Sequence, residues 1–231
     1  MPRTGSASID IGRALSGGWW LIGRDVPRLL PLILTWWGLS FGISLLAFEW
    51  SAVAGLVDLL LSFAIDTFFL GTFYVLALSD ASAPTRHAFQ QVSARFLGLL
   101  ALYAVTSFGI VAGFVLFIVP GIALAVLWTV SLPVFLVERK TVFQAMTASF
   151  NYVRPCFWPV FVLFAIHSVM VAAELFGLWY TGWLDYEAAT TFSLGVESGA
   201  AVIVSLLGIY MSVATYREIT FSNQHDVGVF D

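Results

Sequence analysis

Residues 96–137 read FLGLLALYAVTSFGIVAGFVLFIVPGIALAVLWTVSLPVFLV, a run of 42 residues without a charged side chain. A helix needs roughly 20 mostly apolar residues to cross the hydrocarbon core of a bilayer. This run is long enough for two spans. We predict a tight turn between them at Pro120-Gly121, because proline presets φ and glycine accepts the positive φ of a type II turn. The second arm is short, so we expect the turn to be recessed in the bilayer.

The composition of the whole chain also indicates that the protein lies in lipid. Of the 231 residues, 60% are hydrophobic and 10% are charged, and the mean hydropathy is +0.93. Soluble domains carry about 25% charged residues, so this chain has too little polar surface for a water-soluble globule. The net charge of −4 and the lack of a dense basic cluster argue against a nucleic-acid partner. We therefore predict an all-α integral membrane protein whose first partner is the lipid bilayer.

Apolar runs on either side of the central stretch supply the remaining spans. Each has about the length that a spanning helix needs. These runs cover residues 29–48, 51–79, 157–180 and 198–216. With the two spans of the central stretch they predict six transmembrane helices.

The basic residues give this layout an orientation. All ten lysine and arginine residues fall on one side of the six spans, at Arg3, Arg13, Arg24, Arg28, Arg86, Arg95, Arg139, Lys140, Arg154 and Arg217. The opposite side has no basic residue and carries the acids Glu49, Asp185, Glu187 and Glu197. The positive-inside rule then predicts a multi-pass protein with both termini in the cytoplasm.

Short stretches on the basic side have the apolar spacing of amphipathic helices. They cover residues 11–26, 89–96 and 142–153, and the last begins with a capping box from Thr141 to Gln144. Each stretch precedes two spans, so we predict three helical hairpins, each preceded by an amphipathic interfacial helix. A single membrane domain is thereby divided into residues 1–79, 80–137 and 138–222, with a short cytoplasmic tail at 223–231.

One series of residues carries a family resemblance. Residues 118–126 read IVPGIALAV, and they are followed by Leu132-Pro133-Val134, Val137-Glu138, Ala145-Met146, Ser149-Phe150 and Arg154. This series resembles the YciC-like family of bacterial multi-pass membrane proteins, which is similar to the membrane domain of some glycerophosphodiester phosphodiesterases. The resemblance implies a shared fold and a location in the bacterial cytoplasmic (inner) membrane, and it marks Pro120, Gly121, Pro133 and Glu138 as a family motif. It implies no phosphodiesterase activity, because that activity belongs to a separate soluble domain.

Four ionisable residues lie inside the predicted spans, namely Asp58, Asp66, His167 and Glu174. An aspartate at the centre of a membrane helix costs about 2.5–3.5 kcal/mol on translocon scales, so each residue is a functional candidate. Together they form a candidate intramembrane polar site, in which a proton or cation relay would run from Glu174 through His167 to Asp66. In the structural alternative, each group faces the bundle interior and is hydrogen-bonded to Ser, Thr or backbone.

The search for chemical motifs favours a protein that does not catalyse a reaction. The sequence contains no Walker loop, no Gly-x-Ser-x-Gly, no His-Glu-x-x-His and no Cys/His metal cluster. We therefore expect no cofactor. The favoured function is that of a scaffold, an accessory subunit or a membrane-homeostasis factor, with a membrane-protein partner or a second copy of the chain. The alternative is a small transporter or channel that uses the four intramembrane residues.

Overall fold

The computed structural model describes residues 9–48, 52–180 and 191–227, and within them the chain is all-helical with no strand. The long apolar runs form helices because a helix satisfies its own backbone hydrogen bonds without water. The α-helices are α1 (Ile11–Phe48), α2 (Ala52–Leu78), α3 (Thr85–Ala94), α4 (Phe96–Leu116), α5 (Ile118–Leu127), α6 (Ser131–Val137), α7 (Val142–Val153), α8 (Phe157–Tyr180) and α9 (Thr191–Val227). A short 3₁₀ turn, Arg154–Cys156, joins α7 to α8.

Six segments are long and apolar enough to cross a membrane, which confirms the predicted class and the predicted number of spans. They are Ile11–Ile43, Gly55–Leu78, Phe96–Leu116, Ile118–Val137, Val142–Gly177 and Ser198–Thr220. The plan of three hairpins led by interfacial helices stays a prediction. Glu49, Asp185 and Glu187 lie outside the described residues, as do the side chains of Asp58 and Glu197.

The predicted turn at Pro120-Gly121 is wrong, because the two helices meet three residues earlier. A single extended residue, Phe117, separates α4 from α5, with φ −159° and ψ 144°. Pro120 lies in the first turn of α5, where a backbone N–H has no partner inside the helix and its loss costs nothing. Proline therefore starts the second arm instead of bending the chain.

Gly121 has a different role from the predicted one. A Cβ atom at Gly121 would lie 2.5 Å from Cγ and 2.7 Å from the backbone nitrogen of Phe114, and one at Gly113 would lie 2.9 Å from Cα of Gly121. The two helix backbones thus approach each other more closely than any side chain at these positions allows. Glycine is present at this crossing for contact between helices, as small residues commonly are in membrane proteins.

The longest helices, α1 and α9, pack against each other along most of their length. Near one end, Gly18 lies against the backbone of Tyr210 and the methyl group of Ala214. Near the other, the indole N–H of Trp37 donates to the carbonyl of Gly195 at 2.8 Å. Helix α2 packs against α1 and α9 and also against α4 and α6, and residues of these helices and of α7 contribute to the buried core.

Candidate functional site

Asp66 is bonded to a neighbouring helix. Its carboxylate accepts a hydrogen bond from the indole N–H of Trp36 on α1 at 2.7 Å. Trp36 is buried and stacks on Phe69, with the ring centroids 6.0 Å apart. This carboxylate therefore joins α2 to α1, through an indole and not through the Ser, Thr or backbone partners of the structural alternative.

His167 lies against a different helix. Its ring packs on α9 at Gly208, where a Cβ atom would come within 2.8 Å of the imidazole. Its Nδ1 is buried and has no hydrogen-bond partner among the described residues. Beside the ring is a small cavity of about 40 Å³, whose polar lining side chains are His167, Thr129, Ser212 and Thr215.

Asp66 and His167 do not share one set of contacts. Asp66 meets α1 and His167 meets α9, while Glu174 is half-buried further along α8. The side chain of Asp58 lies outside the part of the structure that is described. The relay from Glu174 through His167 to Asp66 stays a prediction.

The fourth span is a broken helix, and Pro133 explains the break. Helix α5 ends at Leu127 and α6 begins at Ser131. Proline has no backbone N–H, so Pro133 leaves the carbonyl of Thr129 without its usual donor four residues later. The hydroxyl of Ser212 on α9 takes this place and donates to that carbonyl at 2.7 Å.

A second carbonyl at the break is satisfied in the same way. The backbone N–H of Ser131 donates to Trp128 at 3.0 Å instead of to Leu127, which leaves the Leu127 carbonyl free. The hydroxyl of Ser149 on α7 donates to it at 2.8 Å. Serine side chains from two neighbouring helices thus replace two of the hydrogen bonds that the break removes, and this fixes α7 and α9 against the fourth span.

The sequence analysis missed the main charged site, which we call the Asp25 cluster: Arg24, Asp25, Arg28, Tyr210 and Arg217. The carboxylate of Asp25 is fully buried. It accepts two hydrogen bonds from Arg24, at 2.9 and 2.8 Å, one from Arg28, and one from the hydroxyl of Tyr210 on α9 at 3.1 Å. Every polar atom of the carboxylate is therefore bonded to a cation or a hydroxyl.

The arginines of the Asp25 cluster also bind the end of α2. Arg217 donates to the carbonyl of Ala77 in the last turn of α2 at 2.8 Å, and Arg28 donates to that of Ala83 in the loop that follows at 3.0 Å. The last carbonyls of a helix have no donor within the helix and carry the negative end of its dipole, so cations are favoured there. The cluster thus joins α1, α2 and α9 at one point.

Glu138, which the family resemblance singled out in the sequence, centres a second polar group. It accepts hydrogen bonds from Tyr152 at 3.2 Å and Tyr216 at 3.3 Å, and its ion pair with Lys140 measures 2.6 Å. The bond to Glu138 raises the pKa of Lys140 above its ordinary value. Nearby, Arg95 donates to the carbonyl of Lys140 at 2.9 Å, and its burial lowers the pKa of this guanidinium. The turn between α6 and α7 is therefore held from α4, α7 and α9.

One local signal could have revealed the Asp25 cluster. Asp25 lies between Arg24 and Arg28, and a spacing of three residues places Asp25 and Arg28 on neighbouring positions of a helix. In the sequence analysis these arginines serve only to orient the spans. The contribution of Tyr210 has no local signal, because it is 185 residues away in the chain.

Comparison with known proteins leaves the family open. The chain matches no family model, no curated protein and no solved structure. The resemblance to the YciC-like family therefore remains a proposal that rests on the sequence motif. In the site, buried polar side chains bond one helix to another.

We predict that Asp25→Asn strongly destabilises the protein. Removing the charge leaves the partly buried Arg24 and Arg28 without a counter-ion, and breaking a buried pair in this way costs about 3–5 kcal/mol. The free energy of unfolding, measured by titrating sodium dodecyl sulfate into mixed micelles, should fall by that order. Asp10→Asn is the matched control, because its 3.4 Å pair with Arg13 is exposed and such pairs contribute about 0–1 kcal/mol. Equal losses in the two variants would contradict the role of the cluster.

We also predict that Ser212 and Pro133 are energetically coupled. Ser212→Ala removes the donor to Thr129, and interhelical hydrogen bonds in membranes contribute about 0.6–1.7 kcal/mol. In a Pro133→Ala background the new backbone N–H can donate to Thr129 instead, so the cost of Ser212→Ala should shrink. A double-mutant cycle of unfolding free energies measures this coupling. As a control, Thr72→Val removes a hydroxyl that bonds within α2 and should lower the free energy of unfolding equally in both backgrounds. Additive losses for Ser212→Ala and Pro133→Ala would refute the mechanism.

Proposed function

We propose that the chain is a non-catalytic multi-pass inner-membrane protein that acts as a scaffold, an accessory subunit or a membrane-homeostasis factor. One observation carries this proposal: hydrogen bonds from buried polar side chains join the helices of the bundle at several points. Asp66 bonds α1, Ser212 bonds the fourth span, and Asp25 gathers α1, α2 and α9. A bundle tied in this way suits a protein that holds a fixed shape in the bilayer for a partner to recognise.

The proposed partner is a membrane protein or a second copy of the chain. The apolar tip of the α4–α5 pair supports such a contact, because residues 114–120 are all exposed and none is charged. The resemblance to the YciC-like family is part of this proposal and supplies a fold without an activity.

The proposed orientation places both termini in the cytoplasm, and cysteine labelling tests it. Cys156 is the only cysteine and is buried, so new cysteines can be labelled selectively. In intact cells a membrane-impermeant maleimide should react with Ala188→Cys, between spans five and six. It should not react with Ser82→Cys, between spans two and three, until the cells are opened. The reverse pattern would overturn the orientation.

A combined variant separates the proposed function from transport. We expect Asp58→Asn, Asp66→Asn, His167→Asn and Glu174→Gln together to leave partner binding intact, because asparagine at position 66 still accepts the bond from Trp36. The measurement is recovery of a stoichiometric membrane partner by affinity purification in mild detergent. Asp25→Asn should reduce that recovery, because it loosens the bundle that presents the binding surface. Purified wild-type chain, free of partners, should move no protons or cations in liposomes above the protein-free background.

A small transporter or channel is the second candidate, and the break in the fourth span favours it. Discontinuous helices form substrate and ion sites in many transporters. The break at Thr129 lies beside the cavity at His167, whose Nδ1 has no partner among the described residues. If the purified wild-type chain moves protons or cations and the combined variant does not, transport is established and the proposed scaffold function is overturned.

A further inference from the structure

The outward face of α7 is a polar stripe with no helix packed over it among the described residues. The opposite face is buried against α4, α5 and α6 through Ala145, Ser149 and Val153. Gln144, Thr147 and Asn151 recur on the exposed side at the spacing of a helix face, with Lys140 and Phe143 before them. These residues line a shallow open groove of about 540 Å³.

The start of α7 is held, so the helix cannot rotate this face inward. The N–H of Thr141 donates to the side chain of Gln144 at 3.1 Å, as the capping box predicts. Arg139 adopts a positive φ of 52°, which turns the chain sharply out of α6. Tyr152 bonds Glu138 across the turn, and Arg95 bonds the carbonyl of Lys140. The exposed stripe is therefore a permanent feature of the surface.

The two ends of α7 carry positive charge that no described ion pair balances. Arg139 and Lys140 lie at the start of α7, and Arg154 lies at its end. The nearest acid, Glu138, is engaged by Lys140 and two tyrosines, and the next acid along the chain is Glu174. Both Arg139 and Arg154 are exposed and take part in no described ion pair.

Exposed aromatic rings indicate what kind of anion this face suits. Phe143, at the start of α7, is 71% exposed, and Trp158, just beyond its end, is 72% exposed. Helices that lie on membranes combine basic residues with large apolar and aromatic ones, and tryptophan is enriched at the level of the lipid headgroups. An acidic protein segment would satisfy the arginines but would leave these rings without an apolar environment.

We propose that the outward face of α7 is a binding surface for anionic phospholipids. Arg139 and Arg154 contact headgroup phosphates at the two ends of the helix, and the stripe of Gln144, Thr147 and Asn151 supplies hydrogen bonds between them. Phe143 and Trp158 lie against the part of the acyl chains that is nearest the headgroups. The interaction does not depend on the function proposed above, because it needs only this helix and the bilayer.

Fluorescence quenching at Asn151 tests the proposal on the full chain. In a Cys156→Ala background, Asn151→Cys carries a single fluorescent label, and the protein is reconstituted into vesicles. Brominated phosphatidylglycerol should quench the label with an apparent affinity roughly fivefold or more above that of brominated phosphatidylcholine. Inorganic phosphate added at millimolar concentration should not reverse the quenching, since a phosphate without acyl chains lacks the contacts of Phe143 and Trp158.

Charge variants test whether the arginines at the ends of α7 cause the preference for anionic lipid. The double variant Arg139→Asn and Arg154→Gln should bring the ratio of the two apparent lipid affinities to about one. Asparagine is used at position 139 because it tolerates the positive φ. Arg13→Gln combined with Arg86→Gln removes two exposed arginines elsewhere and should leave the ratio unchanged. Circular dichroism and the thermal midpoint, equal in all variants, show that the fold is kept.

Three results would overturn the proposal. Equal quenching by the two lipids in the parent protein would mean that the face does not select anionic headgroups. Quenching by neither lipid would mean that water or a protein partner, such as an acidic segment, covers it. Reversal by inorganic phosphate alone would mean that the site binds a free anion and not a lipid.

Discussion

The carboxylate of Asp25 is buried completely in a chain that has few charges, and such a group is stable only when every oxygen has a partner. Taking an ion out of water costs several kcal/mol even after the structure relaxes, and this cost is offset only when counter-ions and hydrogen bonds are well placed. Arg24 and Arg28 supply the counter-ions from the same helix, and Tyr210 adds a hydroxyl from α9. The positions of α1, α2 and α9 therefore depend on each other, because moving one of them would expose this charge.

The same rule explains the rest of the polar interior. Lipid offers no hydrogen bonds, so backbone groups freed by a helix break or a helix end must find partners in the protein. Ser212 and Ser149 satisfy carbonyls at the break in the fourth span, and Arg217 satisfies one at the end of α2. Each partner comes from a helix distant in sequence, so each bond that satisfies a backbone group also fixes the packing of two helices.

The parts of this fold that could be predicted from sequence are those that a local stretch determines. The six apolar runs predicted six spans correctly, because length and composition decide whether a helix can cross a bilayer. The turn at Pro120-Gly121 was predicted wrongly, because proline also suits the first turn of a helix and glycine also suits a close crossing. The partners of Asp66 and Asp25 could not be predicted, since Trp36 and Tyr210 reach them only after helices have packed.

The close crossing of α4 and α5 has a consequence for biosynthesis. The 42 residues from Phe96 to Val137 contain no charge, so nothing in them anchors the first arm while the ribosome completes the second. A single arm released alone would expose the groove at Gly113, which is shaped to receive the backbone of Gly121. The two arms are therefore best released from the insertion machinery as a pair that is already in contact.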